Sequence, residues 1–493
     1  MSLDNWRFLG SKIIKICWAF LFLALPITSF PFFPADFGGR TLVRPLSVFP
    51  LLILFLIFTL PSLFRKPLPR TLLPLFAFAV LALISSFAAL FFEVESYRGV
   101  TSISRMLRNL ITLGMGITFF LTVSLLPQKW EDLEFSLKWL YAGFAIALFW
   151  GTLQIIYVVH FVGRYYKLLN LIQSYISTRR LFTTRISGLT YEPKWFAEQI
   201  CFLLLPWLIG SVISQRSVFR WRYKWITIEF FLLIWASLVI VFTFSRTGML
   251  ILAVLIFLGY FLFRTKVSKS EEKKKNPSRF QKNWIRLVEA AMIVLVFLGA
   301  VYFAGSQNPY FSRLWRYWTE ARKRNRTYLQ FIAFEQRFVY WQTAIRIFET
   351  NPLLGVGLGN YAFYFEENLP NRPWHQQVEI MRQIMPGEGR DRLITPKNLF
   401  ARLIAETGLA GVAMFSIFLI AVIGCVLYLV FSPSFEQNYW GLSGILALIV
   451  FAFVVFSFDS FALPNMWIVF GLVTSAAHLP DSIGGLTETV ASS

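Results

Sequence analysis

The chain is written in apolar runs of about 20 residues, the length that carries a helix across a hydrocarbon core of about 30 Å. In lipid every backbone N–H and C=O must be satisfied internally, and a helix does this within one segment. A membrane β-barrel would show short alternating segments instead, and the sequence has none. With 56% hydrophobic and 15% charged residues in 493, the chain carries more apolar surface than a water-soluble fold could conceal. Candidate spans are 13–33, 46–64, 71–92, 107–126, 136–162, 195–214, 224–244, 247–263, 285–304, 411–431, 440–458 and 461–477. The expected fold is an all-α polytopic membrane protein of about twelve helices in one membrane-embedded domain, 1–493.

The net charge is +21, from 47 basic and 26 acidic residues. In a soluble protein that excess would suggest nucleic acid, whereas membrane proteins collect Lys and Arg in cytoplasmic loops. No nucleic-acid partner is expected. With the N-terminus inside, one face receives Arg65-Lys66 and Arg70, then Arg216 to Lys224, then the basic loop 264–284 with Lys273-Lys274-Lys275. The positive-inside rule thus places both termini in the cytoplasm. Cys17, Cys201 and Cys425 all lie within apolar runs and read as small core residues, not as a disulfide, metal site or nucleophile. The first run lacks a small-residue cleavage site and reads as a helix, not a signal peptide.

Two long segments then face the periplasm, 163–194 and 305–398. Both are basic: Arg164, Lys167, Arg179, Arg180 and Arg185 in the first, Arg313, Arg316, Arg322, Lys323, Arg324, Arg326 and Arg337 in the second. Long loops escape the positive-inside rule, so these charges serve either anionic headgroups or a function. Within the second, Phe334, Phe338, Trp341, Ile345 and Phe348 recur at spacings of three and four. That periodicity predicts an amphipathic helix over 334–349, lying on the membrane surface or packed on the bundle and stopped at Asn351-Pro352. No internal repeat of the kind found in many transporters is visible.

Four motifs carry polar chemistry. Arg246, in Phe244-Ser245-Arg246-Thr247-Gly248, sits between two apolar runs with almost no loop. It either snorkels to headgroups or presents its planar fork of donors to a diphosphate. The stretch Arg185-Ile186-Ser187-Gly188-Leu189-Thr190-Tyr191-Glu192-Pro193 supplies an arginine and a carboxylate. Glu192 either caps the helix that follows or takes a proton from a hydroxyl. Asn351 to Asn360 alternates three glycines without a preceding strand, which excludes a dinucleotide fingerprint and favours an irregular, close-packed turn. Last come Lys397-Asn398 and, ten residues beyond the Asn, Gly408-Leu409-Ala410-Gly411.

In this order the motifs resemble the bacterial O-antigen ligase/polymerase family: an Arg-x-x-Gly loop, Ser-Arg-x-Gly between helices, an Arg-bearing helix into Pro-Leu-Leu-Gly-Val-Gly-Leu-Gly, and Asn before Gly-x-x-Gly. The likeness covers roughly 185–431. It implies a metal-independent, type C-like membrane glycosyltransferase of the inner membrane with a periplasmic active site and no cofactor. The donor would be a glycan on undecaprenyl diphosphate and the acceptor a saccharide or glycolipid, among membrane lipids and with a chain-length-regulating co-polymerase as a partner. By position, Arg246 and Arg337 look like the family's arginines, with Arg185 a third diphosphate ligand, while Asn398, Gly408 and Gly411 fit its loop-end motif. The family commonly has His before that Asn. Here Lys397 stands there, which breaks the ligase pattern and favours a polymerase, and His375 upstream is either a spatial substitute or an incidental loop histidine.

The residues suit that chemistry on their own terms. A lipid diphosphate leaving group needs fixed positive charge, which arginines supply, and the loops hold no acidic cluster for a divalent ion. The attacking hydroxyl needs a base, for which Glu192 and His375 are the candidates. A flippase would place its charge mid-helix, at Glu198, Glu229 or Asp459, whereas here the charge is concentrated in the outer loops. A non-catalytic envelope scaffold is the third alternative.

Overall fold

The structure, a computed structural model, describes residues 3–34, 42–65, 68–224, 226–271, 279–306, 308–318, 327–332, 334–370, 380–381, 384–385 and 393–479. It is helical almost throughout. In chain order the longer helices are α1 (Leu3–Leu23), α2 (Val48–Leu63), α3 (Leu72–Ala88), α4 (Ser102–Leu125), α5 (Trp130–Val159), α6 (Gly163–Ser174) and α7 (Pro193–Ser214). They continue with α8 (Ile228–Thr243), α9 (Arg246–Glu271), α10 (Arg279–Ser306), α11 (Glu335–Thr350), α12 (Leu399–Phe431), α13 (Phe435–Val454) and α14 (Asn465–His478). The described strands are a two-residue pair, Arg222–Tyr223 against Ile226–Thr227.

Among the described residues, eight helices are long and apolar enough to cross a membrane: α3, α4, α5, α7, α9, α10, α12 and α13; α2 and α8 are apolar but shorter. The chain is an all-α polytopic membrane protein. Each of the twelve expected segments overlaps a helix, with shifted ends. The first is displaced at both ends. Helix α1 ends at Leu23, because Pro26 and Pro31 cannot continue it, and 24–33 is turn and extended chain. The basic stretch 264–284 is mainly helical among the described residues, since α9 runs on to Glu271 and α10 starts at Arg279.

The bundle is organised around α7. Its most apolar stretch is 94% buried, against 11% for α10, which lies at the rim. Helix α7 packs on α13 and α8, α12 on α13 and α3, α14 on α4, and α1 on α5. Trp207 of α7 and Trp440 of α13, both fully buried, meet with ring centroids 5.0 Å apart. Two helices widen into a π turn just before a proline: Phe55–Thr59 before Pro61 and Ile200–Leu204 before Pro206. The proline lacks an N–H and its ring crowds the carbonyl four residues back, so the extra residue in the turn relieves both problems.

Candidate functional site

The stretch before α7 is held by Gln154 of α5, whose amide oxygen accepts Ser187 N–H at 2.9 Å and Gly188 N–H at 3.1 Å. This fixes the chain that presents Glu192. The backbone of Glu192 occupies the position before the first turn of α7, with Pro193 next, where its missing N–H costs nothing. The carboxylate makes no capping bond there. It accepts from Arg179 Nη1 at 2.8 Å instead, both side chains about a third exposed. The Arg179 guanidinium stacks on Phe182 and Tyr191, at 4.4 and 4.9 Å.

Arg185 is therefore not the hydrogen-bonded partner of Glu192. Its guanidinium lies 3.9 Å from the ring centre of Tyr310 and 5.0 Å from that of Phe182, and burial pulls its pKa down. Tyr310 is shared. Arg246, the first residue of α9, lies 5.8 Å from the same ring centre and donates Nη1 to Ile332 O at 2.7 Å. Arg313 is in the same electrostatic neighbourhood and donates to Phe331 O at 3.2 Å. Asn308 ties this segment to the first loop by donating to Thr184 O at 2.6 Å. Two arginines thus meet at one tyrosine with Arg313 close to Arg246, and Arg246 Nε is buried without a hydrogen-bond partner among the described residues.

Arg337 stands in the first turns of α11. Its Nη1 is also buried without a partner, as is Oε2 of Glu335. It acts electrostatically on Lys194 and Glu198, one turn apart at the start of α7. Lys194 Nζ donates to Ser457 O at 2.6 Å and sits 3.5 Å from Glu198 Oε1, which also accepts Ser457 Oγ at 2.5 Å. Helix α11 packs differently from the expectation. Its buried face is Gln336, Val339, Tyr340, Thr343, Ala344 and Ile347, while Phe334, Phe338 and Ile345 of the expected stripe are exposed. Both faces are apolar enough to face protein or lipid, so periodicity alone could not choose between them.

Lys397 has a positive φ of 53°. Its N–H donates to Asp459 Oδ2 at 2.8 Å and its ammonium lies 5.1 Å from the ring centre of Tyr340. Asn398 caps α12, its Oδ1 accepting Ala401 N–H at 2.9 Å. Helix α12 breaks at Gly408, where φ is 62° and ψ −163°. The glycine turn 352–359 docks into the break: Val356 N–H reaches Ala405 O at 3.0 Å, Gly357 N–H reaches Glu406 O at 2.9 Å, and Leu409 N–H reaches Pro352 O at 2.8 Å. The two backbones approach so closely that a Cβ on Gly408 would fall 2.5 Å from Leu353 C, and one on Gly355 2.5 Å from Glu406 C. Gly411 lies one turn on, where a Cβ would meet Thr407 Oγ1.

Below the loop-end motif lies a buried charged group the motifs did not reveal. Arg402 donates to Glu406 Oε2 at 2.8 Å, to Asp459 O at 2.5 Å and to Asn109 Oδ1 at 2.5 Å, while Arg105 donates to Gly359 O at 2.8 Å. The signal was present as Arg402 and Glu406, an i,i+4 ion pair in an apolar run, and Lys194 and Glu198 repeat it. His375 lies outside the described residues. Among the described residues, no group of three or more His, Cys, Asp or Glu side chains is placed to hold a metal ion.

Residues 231–416 match the family profile described as O-antigen ligase. That stretch contains Arg246, Arg337, Lys397, Asn398, Gly408 and Gly411, and leaves Arg185 and Glu192 outside it. No curated protein gives a significant match to the chain. The chain is a multi-pass membrane protein in which residues 231–416 are similar to the O-antigen ligase family.

Proposed function

We propose that the protein is a periplasmic glycosyltransferase that moves or polymerises glycan units from an undecaprenyl-diphosphate-linked donor onto a saccharide acceptor. The observation that carries this reading is the pair of buried N–H groups without hydrogen-bond partners among the described residues, Arg246 Nε and Arg337 Nη1. An unpaired buried donor is costly, and a diphosphate brings acceptor oxygens to meet both. In the transition state the anomeric C–O bond to phosphate breaks and its electron pair passes to the diphosphate, where the arginines stabilise the added charge. The acceptor hydroxyl attacks from the opposite face, giving inversion, and its proton passes to Glu192. Arg179 holds one oxygen of Glu192, and the other has no hydrogen-bond partner among the described residues.

Lys397 in place of the family's usual His favours polymerase over ligase. Glu198, Glu229 and Asp459 each accept local hydrogen bonds, from Ser457, Val218 and Lys397, which supports structural roles for them over substrate coupling by a flippase. The deciding experiment is transfer by purified protein from lipid-linked donor, comparing Glu192→Gln with His375→Ala. Loss of turnover in Glu192→Gln with donor binding intact is expected. Full activity there, with loss in His375→Ala, moves the base to the histidine. The ratio of polymer to single-transfer product separates polymerase from ligase.

A further inference from the structure

Between the end of α10 and the start of α11 the chain gathers rings beside Arg246. Tyr317, Trp318 and Tyr328 touch one another in a closed triangle, with centroid separations of 5.5, 5.3 and 5.4 Å. Phe331 extends the group, 6.0 Å from Tyr317. The chain segments that bear these rings are themselves anchored. Trp315 contacts Tyr302 and Phe311 at 4.9 and 5.5 Å, and Thr327 and Gln330 form a reciprocal cap on the short helix Tyr328–Phe331. Trp318 is nevertheless 61% exposed. The group adjoins the arginines directly: Arg313 donates to Phe331 O, Arg246 donates to Ile332 O, and Tyr328 lies within electrostatic reach of Arg246.

From this juxtaposition, the geometry points to Tyr317, Trp318 and Tyr328 as a stacking platform for the saccharide chain of the donor, next to the arginines that hold its diphosphate. A sugar ring presents C–H bonds of slight positive charge on one face and hydroxyls at its rim. Aromatic faces carry the complementary negative quadrupole, and Tyr O–H and Trp N–H serve the rim. Neighbouring arginines keep the rings beside the charged end of a glycan donor and make the surface unlike a bare apolar patch. An interfacial anchor in the headgroup layer is the competing occupant, because Tyr and Trp also favour that layer.

The inference rests on the glycan-transfer reading, so its test uses two probes with full-length protein in nanodiscs. One is sugar-free undecaprenyl diphosphate; the other is the oligosaccharide released by mild acid from the producing cell's lipid-linked donor. Binding of each is measured for the wild type, Trp318→Ala, Trp318→Phe, Tyr328→Ala and Arg246→Ala. Trp318→Ala and Tyr328→Ala should each weaken oligosaccharide binding by about tenfold and leave the sugar-free lipid unchanged, while Trp318→Phe stays within about threefold of wild type. Unchanged oligosaccharide affinity in both alanine variants overturns the platform. So does poor nanodisc incorporation with sugar affinity retained, which assigns the rings to the headgroup layer. If Arg246→Ala leaves the sugar-free lipid equally well bound while the ring variants lose the oligosaccharide, the platform stands and the diphosphate assignment falls.

Discussion

The two ends of α7 treat arginine in opposite ways. Just beyond its last turn, Arg216 is almost fully buried and paired with two carboxylates, Glu134 Oε1 at 2.7 Å and Glu436, with Tyr439 beneath it at 4.7 Å. At the other end Arg337 acts on Lys194 and Glu198 through space, and its Nη1 and Arg246 Nε are buried with no acceptor. A buried charge held between two carboxylates as ion pairs fastens helices, here α5 and α13 to the end of α7. A buried donor left unpaired is a standing cost that a ligand can remove. On the proposed function, one end serves stability and the other recognition.

The largest effect should come from breaking the paired end. Arg216→Met strands Glu134 and Glu436 and should cost about 3–5 kcal/mol, read as a lower unfolding temperature in detergent. Adding Glu134→Gln and Glu436→Gln should restore much of that loss, because no uncompensated charge remains. At the other end, Arg246→Ala and Arg337→Ala should leave the unfolding temperature nearly unchanged and slow glycan transfer by about 30- to 1,000-fold, roughly 2–4 kcal/mol. Arg246→Lys should recover only part of that rate, since a point charge does not reproduce a planar fork. Equal thermal losses at both ends would dissolve the comparison.

Gly408→Ala tests whether the recognition end also depends on backbone shape. It places a side chain at φ 62° against Leu353 and should cost about 1–3 kcal/mol, with transfer falling in step with folded protein. The smallest effect should come from Tyr97→Phe, which removes a 2.5 Å hydrogen bond to Glu366 and should cost about 1 kcal/mol. Burial, then the Glu366 hydrogen bond, lift the Tyr97 phenol from 10.0 to about 12. This contribution is complete below pH 10 and lost as the pH rises through 12, which a denaturation series across that window would show.

The sequence disclosed features that depend on one residue and its near neighbours. Apolar run length located the helices and alternating glycines announced a close-packed turn, while the cap made by Asn398 emerged only in the structure. What stayed hidden depends on which distant residue arrives opposite. Glu192 had two local readings, and its partner is Arg179 on the far side of Arg185. The aromatic stripe of α11 was correctly periodic but faces outward, because hydrophobicity does not distinguish lipid from protein core. Arg402 meets Asn109, 293 residues away, and no spacing rule spans that separation.

The docking of 352–359 into the break of α12 also sets an order of events during synthesis. Ser85, on α3, donates both to Leu354 O at 2.5 Å and to Glu406 O at 2.8 Å. The ribosome makes Ser85 269 codons before Leu354 and 321 before Glu406, and the chain emerges from its N-terminus. The hydroxyl is therefore in place long before either carbonyl exists, and the glycine turn is finished before the helix that receives it. Until α12 has been inserted, the Val356 and Gly357 amides lack the Ala405 and Glu406 carbonyls that receive them in the folded protein. A ribosome stalled between residues 370 and 405 should hold this turn open to protease, and release past residue 431 should close it.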